Sequence, residues 1–210
     1  MPTAAETDLQ WETLAGRLEA LGVGDLAELR GDYEGLWSRG ARELPYHSLA
    51  HCYHTARVAM EIGEAMGLPR EQLLLLAAAG MAHDLDYPCH NDDGANVLHS
   101  AATFEAAAPI FEPLVAPELK FAVAQLVLST ATTSHWPRIG LEEILHSADM
   151  LQTAAGGEDH CHRWTGWLYE EWGQALPEDW VERSRKIIEP ALKLEPAKLI
   201  FRGGYLGSLP

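Results

Sequence analysis

Residues Leu73 to Met81 form an apolar, alanine-rich run that delivers a His83-Asp84 pair just ahead of Pro88. A run that is hydrophobic on every side belongs in the middle of a helical protein, so Arg70 to Asp84 is expected to be a central helix. Adjacent side chains on a helix do not face each other, and a surface His-Asp pair would have no structural purpose of its own. At the buried end of a helix the two can reach one point, where imidazole nitrogen and carboxylate oxygen suit a divalent metal. Such an ion needs more than two ligands. Tyr46-His47-Ser48-Leu49-Ala50-His51 upstream and Ser147-Ala148-Asp149-Met150 downstream offer the others.

Around this centre the chain reads as helices joined by short turns. Met1 to Thr7 is expected to fray, with Asp8 capping a helix of Leu9, Trp11, Leu14, Leu18 and Leu21. A second helix covers Asp25 to Trp37. Pro45 introduces a third, on which His47, His51 and His54 would share one face that Val58 and Ile62 continue into the core. Tyr87 to Ala95 reads as a polar loop, Asn96 to Leu114 as a helix kinked at Pro109, and Pro117 to Thr130 as another. Thr130 to His135 is a turn, and Leu141 to Ala155 is a helix carrying Asp149. Trp164, Trp167, Leu168 and Trp172 form an aromatic stripe at helical spacing, read as core rather than a base-stacking platform. Trp180 to Leu194 is the last long helix, and the tail from Gly203 is expected to be loose. No alternating strand pattern and no internal repeat occurs. The expected fold is all-α, a single domain over residues 1–210 with 1–7 and 203–210 as loose ends.

The net charge of -16 argues against nucleic acid as a partner, because duplex binding rests on neutralising phosphates with Lys and Arg. A small phosphorylated substrate is compatible with it when a metal supplies positive charge locally. No apolar run reaches the length of a membrane span. The start lacks the basic-then-apolar pattern of a signal peptide. Three cysteines, Cys52, Cys89 and Cys161, without CxxC spacing indicate neither a disulfide framework nor a zinc ribbon, so the expected location is a reducing cytoplasm. A monomer or homodimer is expected.

All ten histidines lie between His47 and His162. His51, His83, Asp84 and Asp149 are the candidate ligands, brought by three helices to one cavity as in other helical metal sites. Two imidazoles and two carboxylates suit Mn, Fe, Zn, Ni or Mg, one ion or two, with positions left open for water and substrate. Single histidines such as His54, His146 and His160 are read as ordinary core or surface residues. His160-Cys161-His162 is left out of the site because it follows Gly156-Gly157 in an expected turn. Asn91-Asp92-Asp93-Gly94 lacks the spacing of a calcium loop and reads as a polar turn.

The order H…HD…D on successive helices resembles the HD superfamily of metal-dependent phosphohydrolases. Tyr46 to His51 looks like the opening of its YHNxxH branch, to which cyclic-nucleotide phosphodiesterases are related. The likeness extends through Asn96 to Ala101, Leu128-Ser129-Thr130 with His135, and Arg163 through Glu171 to Arg183 and Phe201. Ser48 stands where the branch usually has Asn, Val97 where it often has Glu, and Asp86-Tyr87-Pro88 replaces the HDxGK lysine of other subfamilies.

The resemblance implies that His51, His83, Asp84 and Asp149 bind metal and that His47 occupies the proton donor's position. His135 and His99 are the candidates for a second metal or for the substrate's phosphate, with His90 behind them. His99 also reads as a partly exposed helix residue. The implied activity is hydrolysis of a small-molecule phosphate ester, of a nucleotide or another metabolite, with Asp84 or Asp149 also orienting the attacking water. Two rivals remain at this stage: a mixed-valent di-iron oxygenase, which the same superfamily hosts, and a non-catalytic regulatory or binding module stapled by the metal.

Overall fold

The computed structural model describes residues 1–40, 44–88, 93–131, 138 and 140–209. Among them are eleven α-helices and no strand. The helices are α1 (Ala4–Ala20), α2 (Leu26–Gly40), α3 (Leu49–Ala65), α4 (Arg70–Ala82), α5 (Asp93–Ala107) and α6 (Lys120–Leu128). They continue as α7 (Leu141–Met150), α8 (Glu158–Glu171), α9 (Trp180–Ala191), α10 (Glu195–Gly203) and α11 (Tyr205–Ser208). The all-α expectation holds, and none of the described helices is long and apolar enough to cross a membrane.

Helices α3 and α4 are the axis of the molecule. Helix α3 packs on α1, α4 and α7, while α4 also packs on α6 and α7. The sequence reason is small size. Ala56 and Ala59 on α3 and Ala77, Ala78, Ala79 and Gly80 on α4 are all buried, and Gly80 faces Ala56. A Cβ on Gly80 would lie 2.5 Å from the Cα of Ala56 and 2.6 Å from its nitrogen, so the two backbones meet where glycine alone fits.

The C-terminus of α4 is closed by side chains. A helix leaves its last carbonyls unpaired. Here Tyr33 Oη donates to the Met81 carbonyl, and His83 Nδ1 donates to the Gly80 carbonyl at 2.8 Å. Leu85 N–H then reaches the Ala82 carbonyl at 3.1 Å. Asp86 turns the chain at a positive φ of 55°, a conformation that Asp tolerates better than most residues.

Helix α1 begins at Ala4 and α11 runs to Ser208, where loose stretches over 1–7 and 203–210 are expected from the sequence. Thr3 and Glu6 form a reciprocal capping box that starts α1 at Ala4, ahead of the expected cap at Asp8. At the other end, Leu206 is fully buried and Tyr205 N–H donates to the Gly156 carbonyl at 2.8 Å. Residues 160–162 lie within α8 and form no separate turn. Pro109 converts the end of α5 into a 3-10 turn, Ala108–Phe111, because a proline has no N–H to continue the helix.

Candidate metal centre

Four side-chain atoms converge where α3, α4 and α7 meet. His51 stands in the first turn of α3, His83 and Asp84 follow the end of α4, and Asp149 sits in the last turn of α7. His51 Nε2 lies 3.1 Å from His83 Nε2, 3.1 Å from Asp84 Oδ2 and 3.1 Å from Asp149 Oδ1. His83 Nε2 is 3.0 Å from Asp84 Oδ2 and 3.5 Å from Asp149 Oδ1. Ligands about 2.1 Å from an ion are about 3.0 Å apart when cis on an octahedron and about 3.4 Å apart on a tetrahedron. The observed spacing matches that geometry.

Three further observations fit a cation. The Gly80 carbonyl can only accept, so it fixes the proton of His83 on Nδ1 and turns the Nε2 lone pair to the cluster. Asp84 Oδ2 is buried within 3.1 Å of two ring nitrogens and yet makes no hydrogen bond. The cluster also lies at the carbonyl end of α4, where the helix dipole favours positive charge.

The charges agree. Burial opposes ionisation of Asp84, but His83, His47 and His51 overcome it and hold the carboxyl well below the usual carboxylate range. Burial likewise opposes charging of Asp149, which His51 and His83 outweigh, so it too is lowered. Burial disfavours the imidazolium of His83 and of His51, yet the two carboxylates push both upward. The cluster thus demands positive charge, which protons or a dication can supply, and binding the dication releases the protons. Cys52 adds a thiol beside His83 and Asp84, in a second group of donors that sequence reading did not single out.

His47 sits differently from its expected place on the His51 helix. Ser48 is the N-cap of α3, its hydroxyl accepting from His51 N–H at 3.4 Å, so His47 lies in the bend that precedes the helix. Its neighbours compensate. The buried Glu171 carboxylate accepts from the backbone N–H groups of Tyr46 and His47 and, at 2.5 Å, from His47 Nδ1. Tyr87 stacks flat on the imidazole, 3.8 Å away with the rings 9° from parallel, and its hydroxyl accepts from Asn96 Nδ2 at 2.9 Å.

A cavity of about 340 Å³ opens over the cluster, lined by His47, Asp84 and Asp149 at its base and by α8 and α9 further out. Trp164 of the aromatic stripe is buried as expected, whereas Trp172 is 54% exposed and lines this cavity. His99 is half exposed with its Nε2 2.9 Å from Asp86 Oδ2, outside the converging atoms. His135 and His90 lie outside the described residues, as do Asn91 and Asp92.

His54, on the face of α3 next to His51, is 3% exposed; Arg57 donates to its Nδ1 and its Nε2 has no partner. Burial, then Arg57, pushes its pKa well below the ordinary value. The unfolded chain therefore takes up a proton below about pH 6.5 that the folded chain refuses, so stability falls as pH falls through that window. His54→Gln keeps an acceptor for Arg57 without the titration. Urea unfolding between pH 6.5 and 5 is expected to show a shallower loss, by up to about 1.4 kcal/mol per pH unit. Equal slopes in both proteins would exclude His54 as the source.

The sequence model of the family described as HD domain matches residues 48–154, which is half of the chain. The chain belongs to the HD-domain family, whose members are in general metal-dependent hydrolases that bind divalent ions. A search of curated proteins found no match. The matched span contains all four converging residues but leaves out His47 and Glu171.

Proposed function

We propose that the protein is a metal-dependent phosphohydrolase of the YHNxxH-like branch, cleaving a phosphomonoester or phosphodiester in a nucleotide or another small metabolite. The observation that supports this most is the oriented His47, which lines one cavity together with Asp84 and Asp149 of the converging cluster. His51 Nε2, His83 Nε2, Asp84 Oδ2 and Asp149 Oδ1 would hold the ion. When bound, a divalent ion supplies Lewis acidity there, activating water as a nucleophile and offsetting negative charge on the phosphoryl oxygens.

The remaining work falls to side chains. Glu171 holds the Nδ1–H of His47 and leaves Nε2 as the ring nitrogen for the substrate. Tyr87 fixes the plane of that ring. As the water oxygen gives up a proton to solvent and bonds to phosphorus, the bond to the leaving oxygen breaks and His47 passes its Nε2 proton to the departing oxygen.

Purified protein is expected to carry a divalent ion and to hydrolyse members of a phosphomonoester and phosphodiester panel. His47→Gln should keep the ion and lower kcat by about 10²- to 10⁴-fold, the range for a positioned general acid. In Glu171→Gln the amide oxygen can serve the two backbone N–H groups, but its NH₂ then faces Nδ1 and opposes the imidazolium, as an Asp-to-Asn change does in a catalytic triad. Its kcat should fall with ion content unchanged. Loss of the ion from His47→Gln, or an unaltered kcat, would remove His47 from the donor role.

A further inference from the structure

The cavity wall beyond the metal cluster differs in chemistry from its base. Leu168 and Tyr169 from α8, Trp172 just after it and Ile187 from α9 line its outer part. Trp172 and Ile187 are 54% and 63% exposed, although each is a large apolar side chain. Tyr169 meets Trp172 edge-on, with ring centroids 5.5 Å apart, so the indole is held by a neighbour. Single exposed apolar residues need no explanation, but two that share the mouth of a catalytic cavity form a surface for a ligand.

Charge narrows the ligand. Asp84, Asp93 and Asp149 are the carboxylates of the described lining, and Arg183 is its guanidinium. Arg183 is already paired with Asp179 at 2.7 Å. A dication bound by Asp84 and Asp149 only balances those two carboxylates. A polyphosphate chain would meet no array of cations among the described residues, whereas a single phosphate needs none beyond the ion. The volume, about 340 Å³, is at the low end of the roughly 300–1,000 Å³ usual for ligand sites. It suits a phosphate plus a compact organic group.

Resting on the phosphohydrolase reading, we propose that the substrate is a singly phosphorylated ester with an uncharged, aromatic leaving group that lies on Trp172 and Ile187. The ester oxygen then faces His47, and the aromatic face meets the indole, where stacking discriminates by shape rather than by hydrogen bonds.

The test uses the full chain loaded with divalent ion and two non-hydrolysable probes, phenylphosphonate and methylphosphonate, titrated by calorimetry. Phenylphosphonate is expected to bind about tenfold more tightly, and Trp172→Ala or Ile187→Ser to bring the ratio towards one. Both side chains are largely exposed, so the variants should fold, which circular dichroism checks. In parallel, hydrolysis of 1-naphthyl phosphate should exceed that of glycerol phosphate and of ATP. Equal binding of the two phosphonates, or a ratio that neither substitution alters, overturns the aromatic subsite even if esters are hydrolysed. A Trp172-dependent preference with no ester hydrolysed supports the subsite and instead sinks the phosphohydrolase reading.

Discussion

Asp84→Asn protein is expected to purify without its divalent ion and to lose hydrolysis by well over about a hundredfold, the upper loss for outer-shell partners alone. The substitution is isosteric and removes a charge that lies 3.0 Å from His83 Nε2 and 3.1 Å from His51 Nε2. Asn cannot offer the anionic oxygen that Asp84 presents without a hydrogen bond. The fold should persist, because the Asn amide can donate to a ring nitrogen in place of the ion. Asp149→Asn should behave alike, since Asp149 Oδ1 is as close to His51 as Asp84 is. Elemental analysis beside a melting curve with and without added ion reads both effects. Bound ion stabilises the native state by mass action, so the wild-type melting point should rise with ion and the variant's should not. Wild-type ion content in Asp84→Asn would show that the ion sits elsewhere.

Gly80→Ala is expected to be strongly destabilising, at about 3 kcal/mol or more. Alanine would favour an ordinary helix by about 1 kcal/mol over glycine. Here the new Cβ runs into the backbone of Ala56, at 2.5 Å from Cα and 2.6 Å from N, and backbone cannot rotate away. Helices α3 and α4 must separate, which parts His51 from His83 and strains the hydrogen bond from His83 to the Gly80 carbonyl. For a chain of this size the melting point should drop by roughly 6–12 °C. Gly63→Ala is the control. Its Cβ would meet Leu73 Cδ2 at 2.8 Å and two other leucine tips at 3.2 Å, all ends of flexible side chains, so its cost should be far smaller. Similar melting points for the two variants would mean that the α3–α4 contact tolerates widening.

How much of this was legible beforehand differs from residue to residue. His51, His83, Asp84 and Asp149 stood out because each is a polar group at the end or face of an apolar helix, and the structure brings those four together. Glu171 escaped as a functional residue because its partner His47 is 124 positions away and nothing local ties them. A signal did exist: Glu171 falls seven residues after Trp164, on the inward stripe of α8, where an unpaired carboxylate would be costly. His47 was placed one turn too deep because i, i+4 spacing was followed through Ser48, a residue that caps helices more readily than it continues them. The Thr3-x-x-Glu6 box that starts α1 was readable as a pattern and was passed over for Asp8. Gly80 was hidden for a different reason. In an alanine-rich run a glycine reads only as a weak helix former, and the need for it resides in the opposite helix.

The spacing of the ligands along the chain bears on the order of folding events. His51 and Asp149 come from α3 and α7, with α4, α5 and α6 intervening in the chain, so their atoms meet only once α3 and α7 have docked. Where those contacts form after the folding barrier, an ion held there would act only on the finished structure. Such contacts retard unfolding and leave the rate of folding nearly untouched. The ion would then act as a latch on a finished structure rather than as a seed for its assembly, and its supply would set how long each folded molecule lasts.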